Sequence, residues 1–136
     1  MLSARAQLEV KDQWQYTPLH EAAANGHTTA VQALLSAKAH LEAREGDQCT
    51  ALHVTAANGH TAVIQILLSA KAELEAKAKR QYTALHMVAQ KGHQAAIQVL
   101  LAAGADKQAK TDTGKTPLDI AREKNHEEIV ALLLQG

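Results

Sequence analysis

Thr17-Pro18-Leu19-His20-Glu21-Ala22-Ala23-Ala24-Asn25-Gly26-His27 decides the fold, because it comes back. Its opening returns as Thr50-Ala51-Leu52-His53, as Thr83-Ala84-Leu85-His86, and with one change as Thr116-Pro117-Leu118-Asp119. The four threonines stand 33 residues apart, with nothing inserted or lost between them. Gly26, Gly59 and Gly92 keep the same step, with Asn125 in the fourth place, and His27, His60, His93 and His126 follow them. The pair Leu34-Leu35 recurs as Leu67-Leu68, Leu100-Leu101 and Leu133-Leu134. A fixed period of this length is the mark of a stacked repeat, in which each unit buries its apolar face only against its neighbours.

Each unit reads the same way. Thr before Pro or Ala starts a helix: its hydroxyl caps free backbone N–H groups, and Pro fits the first helical position. About eight residues later Asn-Gly or Lys-Gly breaks that helix. A second helix is predicted from about His60 to Ser69 in the second unit, with Val63, Ile64, Ile66, Leu67 and Leu68 forming a broad apolar stripe. The stretch from Ala72 to Tyr82 has no helical period and is long enough for a hairpin-like loop leading to the next Thr.

These residues at this period resemble the ankyrin repeat, and Thr17-Pro18-Leu19-His20-Glu21-Ala22 fits its first-helix signature. The resemblance covers practically the whole chain. It implies an all-α-dominated repeat solenoid of stacked antiparallel helix pairs, with β-hairpin-like finger loops projecting between neighbours. The chain then divides into a partial repeat at 1–9 and repeats at 10–42, 43–75, 76–108 and 109–136, one domain over 1–136. The resemblance further implies that both histidine columns serve hydrogen bonds holding loops and neighbouring repeats. The chain departs from the family pattern at two glycines. Gln15, Gln48 and Gln81 replace the finger glycine, where only Gly114 conforms; Lys38 and Lys71 replace the glycine after the second helix, where only Gly104 conforms. A non-Gly residue in a left-handed conformation costs roughly 1 kcal/mol, which leaves the first three finger tips open.

The two ends carry separate expectations. Leu2-Ser3-Ala4-Arg5-Ala6-Gln7-Leu8-Glu9 aligns with Leu35-Ser36-Ala37-Lys38-Ala39-His40-Leu41-Glu42. The first full repeat is therefore expected to lack a cover, as in a piece cut from a longer array or a design with an unusual start. Self-association around Leu2, Leu8 and Leu19 is the corresponding alternative to a monomer. The last unit, with Arg122, Glu123, Lys124, Glu127 and Glu128, is charged as a capping repeat should be.

Composition narrows the function. The 136 residues hold 14 basic and 14 acidic side chains, a formal net charge of zero, which argues against a dedicated nucleic-acid binder. Cys49 is the sole cysteine, so neither an internal disulfide nor a cysteine zinc site is expected. No run approaches the ~20 apolar residues of a membrane helix. The start lacks a secretory leader, so an intracellular place, cytoplasmic or nuclear, is expected of a natural chain. Eight histidines invite a metal reading, but columns about 8–10 Å apart cannot converge on one ion whose ligands sit ~2 Å away. Cys49 beside His53 is a weak nucleophile-and-base pairing, and no phosphate-cradling loop or paired-carboxylate signature is present. The expectation is no enzyme, no cofactor and no metal.

What varies between units is the informative surface. Two finger columns read Gln13, Gly46, Lys79, Asp112 and Trp14, Asp47, Arg80, Thr113; a third reads Tyr16, Cys49, Tyr82, Lys115. On the first helices, Glu21, Val54, Met87 and Ile120 share a column, and Asn25, Asn58, Gln90 and Lys91 lie near the helix ends. All three aromatics of the chain, Trp14, Tyr16 and Tyr82, fall in finger columns, where such residues act as binding anchors. The candidate partner-binding set is therefore Gln13, Trp14, Tyr16, Glu21, Asn25, Asp47, Val54, Asn58, Lys79, Arg80, Tyr82, Met87, Gln90, Lys91, Asp112 and Lys115. Residues 1–68 hold four basic and six acidic side chains, net −2, and residues 69–136 hold ten and eight, net +2. Lys77, Lys79, Arg80, Lys91, Lys110 and Lys115 map to the fingers or the groove side, a basic rim next to Tyr82 and Met87 suited to an acidic partner segment. The expected function is non-catalytic protein binding through fingers and concave helix face, in a natural excised domain or an engineered binder. A partnerless scaffold is the alternative.

Overall fold

The computed structural model describes residues 8–135. Between Pro18 and Leu134 it forms eight α-helices: α1 (Pro18–Ala24), α2 (Thr28–Ser36), α3 (Ala51–Asn58), α4 (Thr61–Ser69), α5 (Ala84–Lys91), α6 (Gln94–Ala102), α7 (Pro117–Glu123) and α8 (Glu127–Leu134). A single 3-10 turn, Lys79–Gln81, precedes α5. Among the described residues no strand is formed. Consecutive helices pair, α1 with α2 through α7 with α8, and each pair packs on the next. This is the expected antiparallel stack. The residues 1–7 that carry most of the partial repeat, Leu2 included, lie outside the described residues.

The signatures read from the sequence do their work locally. Thr17, Thr50, Thr83 and Thr116 are extended N-caps whose hydroxyls accept from the backbone N–H three residues on. In each case that third residue returns the bond, closing a capping box. Alanine lets the first helices approach closely: Ala23, Ala56 and Ala89 share one column, and each is 0% exposed. Arg122 takes the fourth place in that column and is exposed. Leu52, Leu85, Ile64, Ile97, Leu67 and Leu100 fill the layers between helix pairs.

The fingers are tight turns rather than extended ribbons. In the first, the Gln15 N–H donates to Asp12 O and the Asp12 N–H to Tyr16 O, both at 3.0 Å. The second, third and fourth follow this pattern through Glu45, Ala78 and Thr111. Neighbouring fingers are tied by single backbone bonds, Gly46 N–H to Trp14 O, Lys79 N–H to Asp47 O, and Asp112 N–H to Arg80 O. Gln15, Gln48 and Gln81 hold the left-handed conformation at φ 68, 66 and 64°, as Gly114 does at 81°. Lys71 does the same at φ 76° where Gly104 has 91°. Gln15, Gln48, Gln81 and Lys71 thus hold the same left-handed turn conformation that glycine holds at 114 and 104. The third finger adds a second left-handed residue, Arg80 at φ 63°.

Candidate functional site

Three sets of side chains, none of them catalytic in geometry, build the frame on which the fingers stand. The first is the column His20, His53 and His86. Each Nδ1 accepts from its own cap Thr N–H at 3.1 Å. Each Nε2 then donates to the next finger, His20 to Cys49 O at 3.0 Å, His53 to Tyr82 O at 3.1 Å, and His86 to Lys115 O at 3.0 Å. These partners fix the neutral tautomer with its proton on Nε2. Burial holds all three imidazoles below the ordinary value, His53 down to about 4. Asp119 makes the within-repeat bond to the Thr116 N–H at 3.0 Å, and a carboxylate has no N–H to send to a further finger.

The second set opens the second helices. His60, His93 and His126 donate from Nε2 to Ala24 O, Ala57 O and Gln90 O of the preceding unit at 2.9–3.0 Å. Their rings lie directly over the turn glycines. A Cβ on Gly26 or Gly59 would sit 2.7 Å from the ring of His60 or His93, and one on Gly92 would sit 2.8 Å from that of His126. The third set was not recognised as functional from the sequence. Glu9, Glu42 and Glu75 reach one unit forward, accepting from the N–H groups of His40, Glu73 and Asp106 at 2.8–2.9 Å.

Side chains also shape the finger tips. Asp12 Oδ1 accepts from the Trp14 and Tyr16 N–H groups, both at 2.9 Å. Glu45 Oε1 does the same for Asp47 and Cys49 at 2.6 and 2.9 Å, and Thr111 Oγ1 for Thr113 and Lys115. Ala78 occupies this column in the third finger and offers no acceptor. That is the finger whose turn departs by the extra left-handed Arg80. An acceptor five residues before the cap Thr was a legible signal for this role.

The fingers and first helices enclose two open depressions. One, of about 540 Å³, lies between the first two fingers and is lined by Gln13, Trp14, Gln15, Tyr16, Glu45, Gly46 and Asp47. The other, of about 350 Å³, runs from the second and third fingers onto α3 and α5. It brings together the candidates Tyr16, Asp47, Val54, Asn58, Lys79, Met87, Gln90 and Lys91, with Glu45, Cys49, His53, Ala57 and Ala78 added to its lining. Glu21, Asn25, Arg80, Tyr82, Asp112 and Lys115 line neither depression.

The individual candidates differ in what they offer. Trp14 is 63% exposed. Tyr16 and Tyr82 are half-buried, each tilted against the imidazole of its own repeat, His20 or His86, with ring centroids 5.5 Å apart. Val54 is a floor residue, 6% exposed. Lys115 is engaged by the Glu123 carboxylate, whereas Lys79 lies 4.0 Å from Asp47 with both side chains largely in solvent. Leu19 corrects one expectation: at 2% exposure it offers no apolar surface for self-association. Leu8, half-buried, is the remaining described member of that group.

Cys49 does not fit a nucleophile. Burial, and then the Glu45 carboxylate, push its thiol up to about 12. Both ring nitrogens of His53 are engaged with Thr50, Ala76 and Tyr82. Among the described residues no cluster of three His, Cys, Asp or Glu could hold a metal ion. No described helix is long and apolar enough to cross a membrane.

A family model described as ankyrin repeats (3 copies) matches residues 1–78 and 70–136. No curated protein matches the chain.

Proposed function

Because the chain belongs to the ankyrin-repeat family, members of which are generally protein-interaction modules, we propose that it binds a partner protein through the groove formed by its fingers and first helices. The observation that carries this reading is the second depression. Eight of the candidates, drawn from columns that vary between units, line this one depression. Residues that recur, the Thr, Gly, His and Glu columns, are taken up by internal hydrogen bonds. Among those that vary, Trp14, Asp47 and Lys79 face outward, while Val54 lies in the floor.

The basic rim supports a partner with an acidic segment at the third finger. Lys79 and Lys91 are exposed there and share the depression's lining with the half-buried Met87, and Arg80 is exposed next to Lys79 in the chain. Exposed charges of this kind set on-rate and register more than affinity, and the apolar floor of Met87 and Val54 supplies the buried contact. Binding, not catalysis, is the role this arrangement suits.

The test is capture from cell extract by the parent chain and by a Trp14→Ala, Arg80→Ala, Lys91→Ala variant. These three side chains are exposed, so helicity and melting should be unchanged. A protein held by the parent and released by the variant supports the groove. Equal capture by both moves the site off the fingers, and the scaffold reading gains if neither holds anything.

A further inference from the structure

We propose that the depression between the first two fingers seats an arginine side chain of the bound partner, stacked on Trp14 and facing the Asp47 carboxylate. This rests on the groove-binding reading and assigns the charge at the first two fingers, where Asp47 adjoins the Lys79 edge of the basic rim. The lining holds two carboxylates, Glu45 and Asp47, and no basic side chain. Trp14 is the sole tryptophan of the chain and is 63% exposed, with Tyr16 beside it in the lining. A tryptophan face is the best side-chain partner for a cation. A guanidinium can lay its plane on the indole and direct its edge at a carboxylate, which an ammonium cannot do.

The chain neutralises this end only in part, through the long Lys79–Asp47 ion pair. Lys79, the cation nearest Asp47 at 4.0 Å, is absent from the lining, and the Asp47 side chain stays 73% exposed. Lys11 Nζ and Arg44 Nη1 donate to backbone carbonyls, of Arg44 and of Gln48 and Lys77, and neither side chain lines the depression. Asp12 and Glu21 add negative charge beyond the depression, and the Glu21 carboxyl is raised by burial and by Asp12 beside it. The Tyr16 hydroxyl is raised by burial and then by Glu45. The walls are also fixed in advance. Asp12 and Glu45 hold the two turns, and Gly46 N–H to Trp14 O at 3.2 Å locks one finger to the other. Little ordering is left for the ligand to drive.

Trp14 provides its own readout. Tetra-arginine, tetra-lysine and tetra-glutamate peptides, each end-capped, are titrated into the full chain at low salt while Trp14 emission is followed. Tetra-arginine should give a saturable change, tetra-lysine a weaker one and tetra-glutamate none. Asp47→Asn, an exposed isosteric change, should weaken tetra-arginine by about fivefold or more, and so should Gln13→Lys, which places a cation in the depression. The proposal is overturned if the tetra-arginine change is linear up to about 10 mM, if tetra-glutamate matches it, or if both variants bind like the parent. Should the peptides fail while Trp14-dependent capture of a protein persists, only the charge assignment falls. If capture is also independent of Trp14, the groove reading falls with it.

Discussion

A left-handed backbone position asks different things of its occupant according to what a Cβ would meet. At Gly114 and Gly104 a Cβ would find nothing within 4 Å, so Gln15, Gln48, Gln81 and Lys71 are tolerated in the equivalent places with only local backbone strain. Gln48→Gly and Lys71→Gly should therefore each stabilise the fold by about 0.5–1 kcal/mol, less than the full strain because glycine also loosens the unfolded chain. Urea midpoints read this directly. Gly59→Ala should do the opposite and lose more than about 2 kcal/mol, since the His93 ring blocks the new Cβ and φ is +74°. The sequence showed both glycine columns but not the difference between them, which depends on a ring arriving from the next unit. The same limit applies to Cys49, whose solvent access is set by folding. Its thiol should react slowly with an aromatic disulfide at about pH 8 in the native chain and rapidly in urea.

At the scale of the element, the first helices of the first three units, α1, α3 and α5, are each closed at the start by a histidine that also grips the following finger. Protonating Nδ1 would set an N–H against the cap Thr N–H, so the folded chain resists the proton. With His53 at about 4 against an ordinary 6.5, the unfolded chain binds the proton first as pH falls. Stability from this group is therefore complete above about pH 6.5 and is lost progressively toward pH 4, by on the order of 3 kcal/mol. His20 and His86 act in the same direction. Urea melts at about pH 7.5 and 4.5 should differ accordingly, and His53→Gln should flatten the curve while lowering its upper end. The helices and their caps were legible because Thr, Pro and His carry their roles in local order. The glutamate column was not, since Glu42 finds its partner 31 residues ahead at Glu73. Glu42→Ala should cost about 1 kcal/mol and raise hydrogen exchange at the Glu73 amide in particular.

Across the described residues, the main contacts of each helix pair are with the pairs beside it. Protection from hydrogen exchange should accordingly be greatest in α3 to α6, which have neighbours on both sides, and fall toward α1 and α8. The period made this architecture readable in advance, but the chemistry of the groove was only half readable. Columns that vary could be named, whereas the half-burial of Tyr16 and Tyr82 against their own histidines needed coordinates. The fit of His93 over Gly59 has a further consequence, for the order in which units can be spelled. A unit carrying this glycine is a word that another may follow; the fourth unit, with Asn125 at φ 60° and Asp119 in place of histidine, reads as a full stop. A gene in which residues 43–75 are written twice in succession should encode one longer rod that melts later. One in which residues 109–136 are moved to the middle should encode two halves that melt apart, until Asn125→Gly and Asp119→His restore the sentence.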